Sequence, residues 1–330
     1  MTRILIPDTE ASERMDMAAR LAELADVSVQ VGDQFSTPAA SLVATVGDAE
    51  VLCVALARVD AAVIEAGPEL QLIVKCGIGT ENIDLDAARE RGVGVVRTAG
   101  VNIHGAAEYV IAAALLHGRR LSAFDADVRG HDWPESRLNW AGRISSLSGK
   151  TIGIVGLGAI GRETARLAAA HGMVVLASDP FADPSAAASL GVELTTIDRV
   201  LAESDVVTVH VVLDASTKHL FGSQQFAAMK PTALFVNAAR GGVVDTSALV
   251  DALRSGTIAH AVVDVLEEEP PPGDHPLFVL ENCTLTPHIA GCTDQGYDEI
   301  GALAAELVRR FLAGDDLPPA CVVVPPRSSA

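Results

Sequence analysis

The segment "TIGIVGLGAIGRETARLAAAHGMVVLASD", from Thr151 to Asp179, constrains this chain more than any other stretch. A strand-like apolar run leads straight into Gly156, Gly158 and Gly161, an Ala-rich helical stretch follows, and a second apolar run ends on Asp179. Strand, glycine turn, helix and strand in that order make one crossover unit of a parallel sheet. The first glycine permits the tight bend, the second lets a pyrophosphate approach the backbone, and the third lets helix and strand pack closely. The expected phosphate site is the helix N-terminus, opened by Ala159 and Ile160. Asp179 stands where an acid accepts hydrogen bonds from both ribose hydroxyls. A 2′-phosphate beside that carboxylate would set like charges together, so NAD is expected over NADP. The same letters also suit an ordinary helix start with glycine turns and a strand-end acid.

From Thr151 onward, "TIGIVGLG", "MVVLASD", "DVVTVHVV", "TALFVNAAR", "AHAVVDV" and "CTLTP" give six strand candidates with helical intervals, a full doubly wound sheet. Before it, "RILIP", Ala18 to Leu24, "EVLCVAL", Ala61 to Ala66, "LQLIVKC", Leu85 to Arg91 and "VGVV" alternate strand and helix character and imply a second parallel sheet. "HGAAEYVIAAALLHGRR", His104 to Arg120, is long enough for a helix that bridges two lobes. "RGHDWPESRLNWAGRISSLSGK" reads as a polar loop, a last helix is expected over about Thr293 to Leu312, and the tail "DDLPPACVVVPPRSSA" reads as an irregular return. The 330 residues exceed one domain of roughly 100 to 200 residues. An apolar share of 49%, carried by Ala, Val and Leu rather than aromatics, fits parallel strands buried under helices. The fold class is α/β.

A formal charge of −19 opposes attraction to nucleic acid or an anionic bilayer, and neither is an expected partner. A small anion is still admitted, because a local Arg or Lys cluster outweighs distant, screened charge. Cys53, Cys76, Cys283, Cys292 and Cys321 are odd in number and form no CxxC pair, which fits a reducing compartment; no metal site is expected. The N-terminus runs into a strand-like segment without a basic region and apolar core, and no apolar run of about 20 residues follows, so a cytoplasmic location is expected.

Three further signals fall at strand ends, where ligands lie in such sheets: "VNAARGGVVD" with Arg240, "VVDVLEEEP" with Asp264 and Glu269, and "TPHIAG" with His288. Together they suffice for reversible reduction of a 2-oxo acid. An arginine fork holds a carboxylate bidentately, a histidine exchanges a proton near neutral pH, and a carboxylate on its far nitrogen fixes the tautomer. Taken singly, Glu269 also suits a solvated acidic loop, Arg240 a turn cap, and His288 simple packing behind Pro287.

In order and wording, "GLGAIGRE", "NAARGGVVD", "DVLEEEPPP" and "TPHIAG" resemble the NAD-dependent D-isomer-specific 2-hydroxyacid dehydrogenases, and most closely their D-3-phosphoglycerate dehydrogenase branch without its regulatory domain. The resemblance runs from about residue 50 to 312. It implies two Rossmann-like lobes: a doubly wound NAD-binding domain, residues 103–289, inserted into a smaller flavodoxin-like substrate domain, residues 1–102 and 290–330. It implies Arg240 as substrate clamp, Glu269 as partner of the histidine, and His288 as acid and base. Gly77, Ile78 and Gly79 of "KCGIGTENID" would offer backbone amides to the substrate carboxylate, with Lys75 beside a distal anion and Asn102 on the substrate. Thr98, His210, Val211, Thr217, Ala238 and Asp264 would meet the cofactor, Ala238 and Asp264 at the nicotinamide amide. The chain departs from the family at Val212, where a proline is usual, at Ile103, where serine is common, and at Cys76, where alanine often stands. The implied activity is interconversion of a D-2-hydroxy acid and its 2-oxo acid with NAD, on a 3-phosphoglycerate-like substrate. Alternatives are a reductase for hydroxypyruvate, glyoxylate or a bulkier oxo acid, and an NAD(H)-sensing corepressor-like protein. The helix after Asn102 and the Trp133 to Trp140 loop resemble the region through which family members form homodimers.

Overall fold

The structure, a computed structural model, describes residues 1–34, 37–139 and 144–327. The chain forms two compact units, Met1–Asn102 with Thr293–Ala330, and Ile103–Cys292. Trp140, named above with the dimer region, lies outside the described residues.

In the first unit, strands β1 (Thr2–Asp8), β2 (Val27–Gln34), β3 (Val51–Val54), β4 (Leu72–Lys75) and β5 (Gly94–Arg97) run parallel. Across the sheet the order is β5-β4-β3-β1-β2, and the tail segment Val322–Val324 adds an antiparallel edge to β5. The middles of the central strands are apolar because helices cover both faces: Ile6, Cys53 and Val74 face one buried cluster, Leu52, Ile73 and Val95 the other. Helix Leu85–Arg91 starts on the Asp84 carboxylate, which accepts the Ala87 N–H, and stops at left-handed Gly92. The long helix Asp294–Ala313 is bounded likewise by Thr293 and Gly314.

The second unit holds β6 (Thr151–Val155), β7 (Val174–Ser178), β8 (Val192–Leu194), β9 (Val206–Val209), β10 (Leu234–Asn237), β11 (His260–Val263) and β12 (Cys283–Leu285). All pairs are parallel, in the order β12-β11-β10-β9-β6-β7-β8. The chain builds outward from β6 to β8, then crosses to β9 and builds the other way. The carboxyl ends of β6 and β9 therefore flank the switch point, the crevice where such sheets bind ligands. One face is filled by Phe221, Phe226 and Phe235, the last two edge-to-face with ring centroids 5.2 Å apart. The other is covered by the helices Ile103–Arg119 and Ala159–Ala170, whose alanines permit close packing.

Several sequence expectations need correction. The second sheet has β8 as a seventh strand, only three residues long and at an edge. β2 carries little hydrophobic signal, because its residues are half-buried or exposed and its apolar alternation fades after Val31. The stretch read as a polar loop contains the helix Trp133–Leu138, for which Pro134 in the first turn is favourable. The tail is not irregular throughout, since Val322–Val324 pairs with β5. No helix among the described residues is long and apolar enough to cross a membrane.

Candidate active site

The turn after β6 is built as a phosphate cradle. Gly156 has φ +96°, and a Cβ there would lie 2.8 Å from the His210 carbonyl carbon. A Cβ on Gly161 would lie 2.2 Å from the Gly156 oxygen, whereas one on Gly158 would meet nothing within 4 Å. Two glycines thus bring backbone against backbone, and the middle one leaves open space above the first turn of Ala159–Ala170, where N–H groups lack intrahelical acceptors. The Asp179 carboxylate accepts the Leu157 N–H at 2.7 Å and the Phe181 N–H at 2.8 Å. It is thereby fixed beside the glycine turn with lone pairs to spare for a ribose. These residues fit a dinucleotide.

The loop after β9 crosses the same switch point. The His210 imidazole turns toward Thr208 Oγ1, 3.1 Å away, and burial lowers its pKa to about 4. The His210 backbone carbonyl and the Val211 side chain both lie against the Gly156 turn. The Thr217 hydroxyl donates to the Val212 carbonyl at 2.6 Å and accepts the Asp214 N–H at 2.9 Å, so it closes its own loop.

Arg240 follows β10 by way of Ala238 and Ala239. Buried Asn237 shapes this exit: its Oδ1 accepts the Ala239 N–H at 3.1 Å and its Nδ2 donates to the Arg240 carbonyl at 3.0 Å. The guanidinium donates to the Ala239 carbonyl at 2.6 Å and lies near enough to Glu269 to lower its pKa.

His288 Nδ1 and Glu269 Oε2 are 2.7 Å apart, and Glu269 Oε1 accepts the Leu266 N–H at 2.9 Å. Burial pushes the Glu269 carboxyl up, but the His288 ring, the Leu266 N–H and the Arg240 charge together outweigh it, and the pKa is lowered. Glu269 is therefore an anion that holds Nδ1 as a donor, leaving Nε2 for proton exchange. Of the adjacent acids, Glu267 is instead engaged by His219 and Thr246. Asp264, expected at the nicotinamide amide, is a buried residue whose carboxylate accepts from Thr286 Oγ1, the Ile289 N–H and the Ala290 N–H. It braces the His288 turn from behind.

In the first unit, Lys75 and Arg97 are register partners at the ends of β4 and β5. Lys75 Nζ donates to the Ala55 carbonyl. Thr98 is fully buried, and its hydroxyl accepts the Gly77 N–H at 2.8 Å, which braces the glycine turn. Among the described residues, the Ile78 and Gly79 N–H groups have no acceptor. Asn102 is left-handed at φ 55°, with its amide oxygen buried and unpartnered. The sequence reading missed Asp8, which is buried at the end of β1 and accepts three successive N–H groups from Ala55, Leu56 and Ala57. It also missed Asn237, Tyr109 and Thr286; only the placement of an Asn at a strand end hinted at the first.

Residues 111–290 match the model of the D-isomer specific 2-hydroxyacid dehydrogenase NAD binding domain. The chain is 42% identical over 280 residues to D-3-phosphoglycerate dehydrogenase of Mycobacterium bovis, covering 84% of this chain and 52% of that protein. It thus spans about half the length of such curated relatives. With glyoxylate reductase of Thermococcus litoralis it shares 37% over 265 residues, 79% of this chain and 80% of the other. The crystal structure of D-lactate dehydrogenase from Aquifex aeolicus with NAD and lactic acid superposes with a TM-score of 0.84 at 26% identity, covering 98% of this chain and 100% of that one. A glycine cradle at the switch point, an Asp beyond it and a Glu-bound histidine at the end of β12 are thus met by similarity along most of the chain, and the chain belongs to the D-isomer-specific 2-hydroxyacid dehydrogenase family.

Proposed function

We propose that this chain interconverts a D-2-hydroxy acid and its 2-oxo acid with NAD. The observation that carries the reading is the Glu269–His288 pair at 2.7 Å, with Arg240 close enough to act on Glu269 electrostatically. NAD bound at the glycine turn supplies hydride transfer at its nicotinamide. His288 Nε2 gives a proton to the 2-oxo oxygen during reduction and takes it from the hydroxyl during oxidation, and Glu269 stabilises the imidazolium in between. Arg240 holds the substrate carboxylate. We assign Gly77, Ile78, Gly79, Asn102 and Lys75 to substrate binding, and Thr98, Gly156, Gly158, Ala159, Ile160, Gly161, Asp179, His210, Val211, Thr217, Ala238 and Asp264 to the cofactor.

The test is NADH consumption by the purified chain with a panel of 2-oxo acids. Failure on the whole panel sinks the reading. Within the panel, the Lys75–Arg97 pair favours a substrate with a second anionic group, such as 3-phosphohydroxypyruvate, over glyoxylate or hydroxypyruvate. Higher kcat/KM for glyoxylate would reverse that order. Asp179→Ala is expected to shrink the NAD over NADP preference by about tenfold or more, since it removes the like-charge clash. An unchanged ratio of the two Kd values would refute the assignment.

We further propose a homodimer through the helices between Ile103 and Leu138. They expose Leu115, Leu116, Leu121, Val128, Trp133 and Leu138, a run of large apolar side chains that water disfavours. Light scattering at twice the chain mass, reduced to one mass in Leu116→Glu/Leu121→Glu, is the expected result; a monomeric wild type contradicts it. The five free cysteines support a cytoplasmic location.

A further inference from the structure

Tyr109 lies on the helix Ile103–Arg119, and its phenol oxygen is 2.6 Å from Thr286 Oγ1. The Thr286 hydroxyl carries one proton, and its other neighbour, Asp264 Oδ1 at 2.5 Å, belongs to a carboxylate that accepts the Ile289 and Ala290 N–H groups as well. The direction of the chain follows: Tyr109 donates to Thr286, and Thr286 donates to Asp264. Asp264 also takes the His288 N–H on its backbone carbonyl at 2.8 Å. Three successive amides, 288 to 290, therefore converge on one buried residue. The first belongs to a histidine at φ 56°, a left-handed conformation that costs free energy and persists only when its surroundings hold it. Burial pushes the Tyr109 hydroxyl up to about 12, so it remains a proton donor at any working pH.

We infer that Tyr109 and Thr286 are positioning residues that hold the His288 imidazole in its working orientation through Asp264. The inference rests on His288 being the proton carrier, but its structural half can be read without any turnover. Tyr109 itself touches none of the reacting groups. It links the helix on which Leu115 and Leu116 are exposed to the turn that presents the histidine.

The experiment compares wild type with Tyr109→Phe, Thr286→Val and Thr286→Ser, all as the full chain. Hydrogen exchange without substrate is expected to speed up about tenfold at Ile289 and Ala290 in Tyr109→Phe and Thr286→Val, with β10 and β11 unchanged and Thr286→Ser near wild type. In NADH-driven reduction of the best 2-oxo acid of the panel, kcat is expected to fall about tenfold in the first two variants while KM for NADH stays within about twofold. A larger isotope effect with deuterated NADH would show the chemical step slowed. Unchanged exchange at 288 to 290 in Tyr109→Phe overturns the inference, as does a uniform rise across the whole unit. A wild type that reduces no 2-oxo acid, together with localised faster exchange in Tyr109→Phe and Thr286→Val, sinks the proposed reaction and upholds the positioning network.

Discussion

His288→Ala is expected to lower kcat for reduction of a 2-oxo acid by roughly 10² to 10⁴-fold, the range that a positioned acid-base group contributes. The Kd for NADH should stay within about twofold, because the cradle that holds the dinucleotide lies on β6 and β7. Stopped-flow turnover together with fluorescence titration of NADH measures both. A kcat within tenfold of wild type would remove His288 from the chemistry. Glu269→Gln should show a smaller loss, because an amide still accepts from Nδ1 but no longer stabilises the imidazolium. The pH sense follows from the lowered carboxyl of Glu269. A depressed folded pKa means that the pairing is fully present above the usual carboxylate value of about 4.3 and is lost as pH falls through the lower folded value. Acid inactivation that depends on Glu269 should therefore set in below the ordinary carboxylate range.

Gly161→Ala is the second large effect. Its Cβ would lie 2.2 Å from the Gly156 carbonyl oxygen, a backbone atom that no side-chain rotation can move aside. The helix Ala159–Ala170 must then shift off the turn, and the first-turn amides lose their aim at the pyrophosphate. NADH affinity is expected to fall by about 10²-fold, roughly 3 kcal/mol. Calorimetric titration reads it, and the thermal midpoint shows whether the fold survives. Gly158→Ala separates the two functions of the turn: a Cβ there meets no protein atom, so loss of NADH binding with unchanged stability would locate the pyrophosphate at Gly158. Retained affinity in Gly161→Ala would contradict the cradle.

The sequence leaves two alternatives for Glu269, and only distance in the fold separates them. Three glutamates in a row look alike as letters, and taken singly they suit a solvated loop better than a catalytic pair. The fold distinguishes them by distance, sending Glu267 to His219 and Thr246 and Glu269 to His288. Asp264 shows the same limit: its letters place it at a strand end, but only the fold shows its carboxylate taking Thr286 and the amides of 289 and 290. Such a partner set joins residues far apart in the chain, and no local spacing encodes it. Likewise, nothing in "VRTAGVN" shows that the Thr98 hydroxyl occupies the Gly77 amide.

The alternation of apolar runs with helical stretches, and the glycine spacing after Thr151, determined the α/β class, the doubly wound sheet and the nucleotide turn. These depend on neighbours within a few residues, where sterics and burial act directly on the letters. The short or polar edges, β2, β8 and Val322–Val324, were decided by the tertiary structure, because an edge strand is stabilised by its partner more than by its own hydrophobic pattern. So was the working set around His288. Its tautomer, its left-handed backbone and its brace from Tyr109 through Asp264 arise only when β10, β11, β12 and the helix Ile103–Arg119 are packed together. Hydrogen-bond geometry is fixed to tenths of an ångström by that packing, and the sequence states it nowhere.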